Sequence, residues 1–258
     1  MQEARARLER ESAEKAQAAQ KQIARRQVEE VSSGKKKRGR KPKLVEAVPA
    51  VEAKANATDP DSRIMKTRQA YIQGYNAQVI VSGGQIIVAV GVTQEANDVQ
   101  QLKPMLKTLE RTLKAAGIEE RPRTGLADAG YWSETNVTAC PISEGTEWLI
   151  ATTKDWKQRK ALRESGCPRG RIPKKLSVRE RMERKLLTQR GRSLYKMSGI
   201  LVEPVLGQIK EGQGFRRFMR RGLQAAHSEW ALMGTTHNLL KLWRSGLAPR
   251  GWNKSYWN

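Results

Sequence analysis

Two runs of β-branched and apolar residues, separated by a pair of glycines, constrain the fold of this chain more than any other feature. The runs are Tyr75 to Ser82 (YNAQVIVS) and Gln85 to Thr93 (QIIVAVGVT). Gly83 and Gly84 lie between them and can supply the positive φ angles of a tight hairpin turn. The sequence therefore predicts an antiparallel hairpin.

An amphipathic helix is predicted directly after the hairpin. Asn97 and Asp98 can cap its start, and it should end near Gly117. Its apolar residues recur every three or four positions and are Val99, Leu102, Met105, Leu106, Leu109 and Leu113. We expect this helix to cover one face of a sheet.

The next segment alternates strands and helices. Thr124 to Asp128 predicts a short buried strand, Ser133 can cap a second helix, and Glu147 to Thr152 (EWLIAT) predicts another strand. A long final helix is predicted over about Leu223 to Ser245, with Trp230 and Trp243 in the core rather than acting as stacking platforms. The order of elements indicates an α/β fold.

The charge of the chain restricts its partners. Its 258 residues include 49 Lys plus Arg against 26 Asp plus Glu, giving a net charge of +23. Such an excess indicates a polyanionic partner, with nucleic acid the leading candidate and an anionic membrane surface the alternative. No stretch approaches the roughly 20 apolar residues that span a bilayer, and the start lacks a signal-peptide core. We therefore expect a cytoplasmic, nucleoid-associated protein.

Cysteine and histidine are too scarce for one common class of metal site. The chain contains Cys140, Cys167, His227 and His237. Their spacing excludes the usual Cys/His zinc sites.

Residues 1–58 form a charged extension. Met1 to Glu30 predicts a solvated helix, and Gly34 to Lys43 (GKKKRGRKPK) is basic at seven of ten positions. Its RGRKP portion resembles an AT-hook, whose Arg-Gly-Arg segment lies in the A·T minor groove. Lys41 intervenes where the hook usually has proline, so a solvated basic linker is the alternative. The candidate DNA contacts are Lys35, Lys36, Lys37, Arg38, Arg40 and Lys41.

A second basic region spans about residues 153–198. Lys154 to Lys196 carries 16 Lys or Arg against 4 acids, with Pro and Gly in its middle. This composition predicts a surface for phosphates rather than a core segment, although Met182 to Leu187 can be helical.

Two acidic residues are candidates for chemistry. Asp128 ends the strand in LADAGYWSE, and ligands of α/β proteins bind beyond strand ends. The alternative is an ordinary Asp in a strand-to-helix turn. Glu203 precedes Pro204, which suits the first turn of a helix. Lys210 follows seven residues later, on roughly the same helical face, although an ordinary surface pair would have the same spacing.

Four motifs together resemble the DDE transposases of bacterial insertion sequences, of the broad group that includes the IS1182 and IS4 types. They are GYNAQ at 74–78, ADAGY at 127–131, VEPVLGQIK at 202–210 and WALMGTTHNLLKLW at 230–243. The resemblance implies a catalytic domain over residues 59–246, followed by a short tail at 247–258. It also implies an RNase H-like fold, in which helices flank a mixed sheet.

The resemblance further implies a two-metal site. Three acids would hold two Mg²⁺ ions, or Mn²⁺ as a substitute, for the displacement of a phosphodiester bond. Asp128 matches the second acid and Glu203 the third. Lys210 matches the lysine that holds DNA near the cut, and Tyr195 lies where the family often has tyrosine. The implied partners are double-stranded DNA, as insertion-sequence ends and target, and further copies of the chain.

Other positions depart from the family pattern. Ser198 stands where relatives commonly carry arginine, and Leu206 where phenylalanine is usual. The apolar run before Tyr71, Leu44 to Val51, contains a proline and no Asp. We therefore expect the first acid to be absent and the copy to be truncated at its N-terminus. The available substitutes are Asp59, Asp61 and Asp98, each of which also suits a turn or a helix cap.

Three functions follow from these expectations. The leading one is a transposase that binds insertion-sequence ends and cuts and rejoins DNA, impaired in this copy. The alternatives are a non-catalytic DNA-binding remnant of the same fold and, less favoured, an RNase H-like nuclease.

Overall fold

The structure is a computed structural model that describes residues 2–36, 39–50, 53–67, 70–138, 145–164, 166–173 and 175–246. The chain divides into two compact units, residues 1–62 and 63–258. In the first unit, helix α1 spans Gln2–Ser33 and confirms the helix predicted for that region. It carries ion pairs one turn apart, such as Arg5 with Glu9 and Arg25 with Glu29, each at 3.1 Å. Exposed pairs of this kind stabilise a helix only slightly.

The second unit mixes strands and helices. Its strands are β1 (Arg63–Lys66), β2 (Tyr71–Gly74), β3 (Asn76–Val81), β4 (Ile87–Thr93), β5 (Thr124–Ala127) and β6 (Glu147–Ile150). Its α-helices are α2 (Leu102–Ala115), α3 (Glu134–Thr138), α4 (Trp156–Glu164), α5 (Val178–Leu187), α6 (Gln189–Gly207) and α7 (Leu223–Ser245). A 3₁₀ turn at Asp98–Gln100 precedes α2, and a π-helical turn at Gln208–Gly212 follows α6.

Within the described residues the strands form three two-stranded sheets. β1 pairs antiparallel with β2, β3 antiparallel with β4, and β5 parallel with β6. The sequence pattern did not predict the β1–β2 hairpin, and neither of its strands carries an acidic residue. The chain is therefore a mixed α/β protein, as predicted.

The predicted hairpin is confirmed as β3 and β4, but its turn is built differently. The positive φ angle, 60°, belongs to Gln85 and not to either glycine of the pair. Gln85 N–H donates to Ser82 O at 2.9 Å, and Ser82 N–H donates to Ile86 O at 2.8 Å. These features match a turn followed by one left-handed residue, a common hairpin connection.

Apolar side chains cover both faces of this hairpin. Ile80 and Ala89 pack with α2, whereas Ile87 and Val90 pack with Trp230 of α7. Burial on both faces explains why β4 is an almost continuous apolar run instead of an alternating one. The helix α7 has the bounds that the sequence predicted, and Trp230 is buried.

Helix α2 joins the β3–β4 and β5–β6 pairs in one core. It confirms the predicted amphipathic helix, and its buried side chains pack with Ala127 of β5 and Ile150 of β6 as well as with Ala89 of β4. After the helix, Gly117 has a φ of +68°, and Ile118 N–H donates to Leu113 O at 2.9 Å. This is a Schellman-type end, in which glycine adopts the left-handed conformation.

The basic region at 153–198, predicted to form a surface for phosphates rather than a core segment, is partly packed. It contains α4, α5 and the first half of α6. Met182 of α5 is 3% exposed, and Thr152 Oγ1 donates to Glu183 Oε1 at 2.9 Å. Ser177 begins α5 with a capping box in which it and Glu180 bond each other's backbone N–H groups.

Candidate active site

Asp128 lies directly after β5, where the sequence placed it. Its Oδ1 accepts the N–H of Gly130 at 2.7 Å, and its carbonyl oxygen accepts the N–H of Tyr131 at 3.2 Å. Ser133 Oγ then accepts the N–H of Asn136 at 3.0 Å and confirms the predicted cap of α3. The turn between strand and helix therefore fixes the Asp128 carboxylate at the strand end.

A second carboxylate, that of Asp98, lies beside Asp128. A β-carbon built at Gly130 would lie 2.6 Å from Asp98 Oδ2 and 2.9 Å from Asp128 Oδ1. Both oxygens therefore border the space that a side chain at position 130 would fill. The absence of a side chain at Gly130 leaves room for both of these oxygens.

Two amide side chains hold Asp98 in this position. Asn76 Nδ2 and Gln78 Nε2 donate to Asp98 Oδ1 at 2.7 and 2.9 Å. The expectation that Asp98 caps a helix is wrong, because the 3₁₀ turn is preceded by Asn97, which makes no side-chain cap bond, and α2 starts at Leu102. Asp98 instead belongs to the same polar group as Asp128.

Tyr131 completes this polar group. Its hydroxyl donates to Gln78 Oε1, and Trp230 Nε1 donates to the carbonyl oxygen of Gln78 at 2.8 Å. Burial raises the pKa of the Tyr131 phenol well above its usual value of 10.0, and the charges of Asp98 and Asp128 raise the pKa further. Tyr131 is therefore a neutral donor that orients the Gln78 amide toward Asp98.

Glu203 does not lie at a helix start, because Pro204 is inside α6. Proline in a helix interior leaves the carbonyl group four residues earlier without its usual partner. That carbonyl belongs to Ile200, and it accepts Gln85 Nε2 from the hairpin turn at 3.1 Å. The local rule for proline failed here because a distant side chain replaces the missing donor.

The Glu203 carboxylate is exposed and lies along α6 near Gly199, where an added β-carbon would be 3.5 Å from Glu203 Oε1. Tyr195, about two turns earlier in the same helix, donates its hydroxyl to Ala127 O at 3.3 Å. Since Ala127 precedes Asp128, this bond ties the helix of Glu203 to the strand of Asp128. Ser198 Oγ donates to Tyr195 O at 2.7 Å within the helix.

Lys210 is exposed and lies in the π-helical turn. The expected shared face with Glu203 assumed α-helical geometry through Lys210, and the wider turn at Gln208–Gly212 interrupts that geometry. Single π-helical turns occur frequently at functional sites.

The basic tail, residues 34–43, was predicted to contact DNA. Lys37 and Arg38 lie outside the described residues, whereas Lys35, Lys36, Arg40 and Lys41 are exposed. The carbonyl oxygen of Arg40 accepts Arg26 Nη1 at 3.1 Å. Exposure of the side chains is compatible with both a minor-groove arm and a linker.

Among the residues that the structure describes, no group of three or more His, Cys, Asp or Glu side chains is arranged to hold a metal ion. The acidic site is therefore a pair, Asp98 and Asp128.

No helix in the described ranges is long and apolar enough to cross a membrane.

Sequence reasoning missed Asn76 and Gln78, which hold Asp98. A signal for them exists, because two amide residues at alternate positions of an otherwise apolar strand point to the same face. Both residues lie in the GYNAQ motif, but their role can be inferred only once Asp98 is known to lie beside them.

Comparison with known proteins gives one family. The family model of the transposase DDE domain matches residues 43–239 of this chain. No curated protein and no solved structure matches it. The matched range covers about three quarters of the chain and includes Asp98, Asp128, Glu203 and Lys210. The chain therefore belongs to the transposase DDE domain family.

Proposed function

We propose that this chain binds the ends of an insertion sequence as double-stranded DNA and cleaves and rejoins that DNA with a divalent metal. The observation that carries the proposal is the carboxylate of Asp128, fixed at a strand end inside the family match with Asp98 beside it. Strand ends are where α/β proteins place ligands, and carboxylates are the ligands that Mg²⁺ prefers.

The residues present fit a hard cation. Asp98 Oδ1 accepts hydrogen bonds from two amide donors. The other oxygen of this carboxylate, Oδ2, borders the same space as Asp128 Oδ1. Tyr131 stays protonated and adds no charge. We propose that Asp98 and Asp128 hold Mg²⁺, or Mn²⁺ in its place, and that Glu203 is a further ligand of the metal.

Bound metal ions would supply Lewis-acid activation of the attacking hydroxyl or water and stabilisation of the leaving oxygen. The chain itself would contribute orientation. The N–H of Gly130 fixes the carboxylate of Asp128, and the amides of Asn76 and Gln78 fix that of Asp98, before any ligand binds. This reduces the conformational entropy that is lost on binding. Lys210 would neutralise a phosphate near the cut.

An RNase H-like arrangement is part of this proposal. It is supported by α2, which packs with both β3–β4 and β5–β6. It is also supported by the bond from Tyr131, after β5, to Gln78 of β3. We further propose a cytoplasmic, nucleoid-associated protein that acts as a homo-oligomer.

A second candidate function is DNA binding without chemistry. The observation that favours it is the absence, within the described residues, of a group of three acids arranged for metal. With an incomplete set of ligands the site would hold metal weakly and catalyse little. A nuclease that cleaves without joining is the third outcome to separate.

The deciding experiment is a strand-transfer assay with labelled duplexes that carry paired terminal inverted repeats, in Mg²⁺ or Mn²⁺. The variants are Asp128→Asn and Asp98→Asn, with Glu110→Gln on the exposed face of α2 as the matched control. Joined products that both Asp variants lose, and the control keeps, support transposition. Cleavage without joining identifies a nuclease, and DNA binding without either product identifies the non-catalytic protein. Joining that Asp128→Asn leaves intact refutes the proposed site.

A further inference from the structure

The segment between the π-helical turn and α7, residues 214–222, forms a loop that we name the arginine loop (GFRRFMRRG). Glycines stand at both ends, with φ of +69° at Gly214 and +90° at Gly222. Side chains rarely adopt such angles, so both ends require glycine. The backbone conformation at both ends of the loop therefore depends on glycine.

Two aromatic side chains anchor the loop in the core. The rings of Phe215 and Trp230 stack with centroids 6.0 Å apart, and those of Phe215 and Phe218 meet edge to face at 5.4 Å. Phe218 also meets Tyr75 at 6.0 Å. Aromatic pairs of this kind contribute about 0.5–1.5 kcal/mol each beyond the area that they bury. The loop is held at two points three residues apart.

The backbone between the arginines is fixed by a carboxylate. Glu229 of α7 accepts the N–H of Met219 at 3.0 Å and the N–H of Arg220 at 3.2 Å. Charged acceptors form stronger hydrogen bonds than neutral ones. Glu229 therefore orders the part of the loop that the aromatic anchors leave free.

This ordered loop presents a concentration of positive charge. Arg216, Arg217, Arg220 and Arg221 are all exposed. Arg216 pairs with Glu211, and both side chains of that pair are about two thirds exposed or more, at 70% and 67%. In the part of the chain that the structure describes, no carboxylate pairs with Arg217, Arg220 or Arg221.

Like charges on one short loop repel one another, and a bound polyanion relieves that repulsion. Guanidinium groups bind phosphate oxygens in a bidentate manner, and a loop whose backbone is already ordered lowers the entropy cost of each contact. Phosphate contacts of this type position a protein on DNA without reading its sequence.

We propose that the arginine loop is a binding site for the phosphate backbone of double-stranded DNA, separate from the basic tail and from the acidic pair. The inference rests on the proposed function, which makes duplex DNA the partner. Arg217, Arg220 and Arg221 each contact a phosphate. Arg216 is paired with Glu211 and does not contact a phosphate.

The test is the salt dependence of binding to a labelled duplex, measured by fluorescence anisotropy with the full chain. The loop variant is Arg217→Gln, Arg220→Gln and Arg221→Gln together. The control variant, Lys107→Gln, Arg111→Gln and Lys114→Gln, removes the same charge from the exposed surface of α2. All six side chains are exposed, so neither variant should unfold.

The slope of log K against log salt should lose about 2.7 in the loop variant, since each phosphate contact contributes about 0.9, and should stay near the wild-type value in the control. Equal losses in both variants would mean that only net charge matters and would overturn the proposal. An unchanged slope in the loop variant, with wild-type binding intact, overturns the loop alone. A wild-type chain that binds no duplex overturns the proposed function and the loop together.

A gain of binding provides the second measurement. Glu211→Gln frees Arg216, so affinity should rise and the slope should steepen by about 0.9. Glu110→Gln on α2 removes the same charge away from the loop and should have little effect. If both substitutions raise affinity equally, the effect is a general one of charge, and Arg216 has no role.

Discussion

Gly191 and Gly207 lie in the same helix, α6, and alanine is expected to act in opposite directions at the two positions. Alanine favours a helix over glycine by about 0.5–1 kcal/mol. At Gly207 an added β-carbon meets no atom within 4 Å, and the backbone is helical with φ −61° and ψ −46°. Gly207→Ala should therefore stabilise the chain by about 0.5–1 kcal/mol.

At Gly191 the same β-carbon would lie 1.9 Å from Lys185 O and 3.0 Å from Thr188 Oγ1. Lys185 O is a backbone atom at the end of α5, so the two helices must move apart. Thr188 also caps α6 by accepting the N–H of Gly191 at 3.0 Å. Overpacking costs about 1–3 kcal/mol and a lost cap about 1 kcal/mol, against a gain of less than about 1 kcal/mol in propensity. The net expectation is a loss of about 1–3 kcal/mol.

The measurement is urea denaturation of both variants and the wild type, followed by far-ultraviolet circular dichroism. The free energy of unfolding comes from the midpoint and the slope m, and an unchanged m shows that the denatured state is comparable. Gly207→Ala should move the midpoint upward and Gly191→Ala downward. If Gly191→Ala is as stable as Gly207→Ala, the close approach of α5 and α6 at this junction is wrong.

Three further outcomes are expected. Gly130→Ala should push the carboxylates of Asp98 and Asp128 apart. Changes next to metal ligands typically weaken metal binding about tenfold or more, so the Mn²⁺ affinity measured by isothermal titration should fall by about that factor. A wild-type Mn²⁺ affinity in this variant would contradict the proposed metal site. Hydrogen bonds from the side chain and backbone of Ser177 lower the pKa of Glu180, so this carboxylate stabilises the fold above its unfolded pKa and loses that effect as pH falls through its folded pKa. Glu180→Gln should therefore shrink the acid dependence of the urea midpoint, and an identical pH profile would refute this. Burial raises the pKa of Tyr131, so Tyr131→Phe should remove a phenol that ionises only at high pH from an alkaline absorbance titration; a titration curve identical to that of the wild type would contradict this.

Local patterns were enough to locate several elements. The apolar spacing of α2, the strand that ends at Asp128 and the Ser133 cap depend on neighbours within a few residues, and the structure contains all three. The same kind of rule failed at Pro204. There, the donor that permits proline inside α6 comes from Gln85, which is 115 residues from Ile200 in the chain.

The acidic pair shows the same limit. Asp98 looked like a helix cap because residues of that type commonly precede helices. Its actual partners, Asn76 and Gln78, lie about 20 residues earlier on β3. The arginine loop was not predicted, because its order depends on Trp230 and Glu229 in a later helix. Contacts at long range therefore decided the functional details that the sequence pattern left out.

The bonds between α7 and the hairpin have a consequence for how the chain folds during synthesis. Asn238 accepts the N–H of Ile87 and donates to its carbonyl oxygen, both at 2.8 Å, across 151 residues. Contacts between residues so far apart in the chain form late, because the long segment between them must first lose conformational entropy. The hairpin leaves the ribosome well before α7 does, so the apolar face that Trp230 covers stays open to water in the meantime. During that interval the nascent chain is most exposed to aggregation and to capture by chaperones.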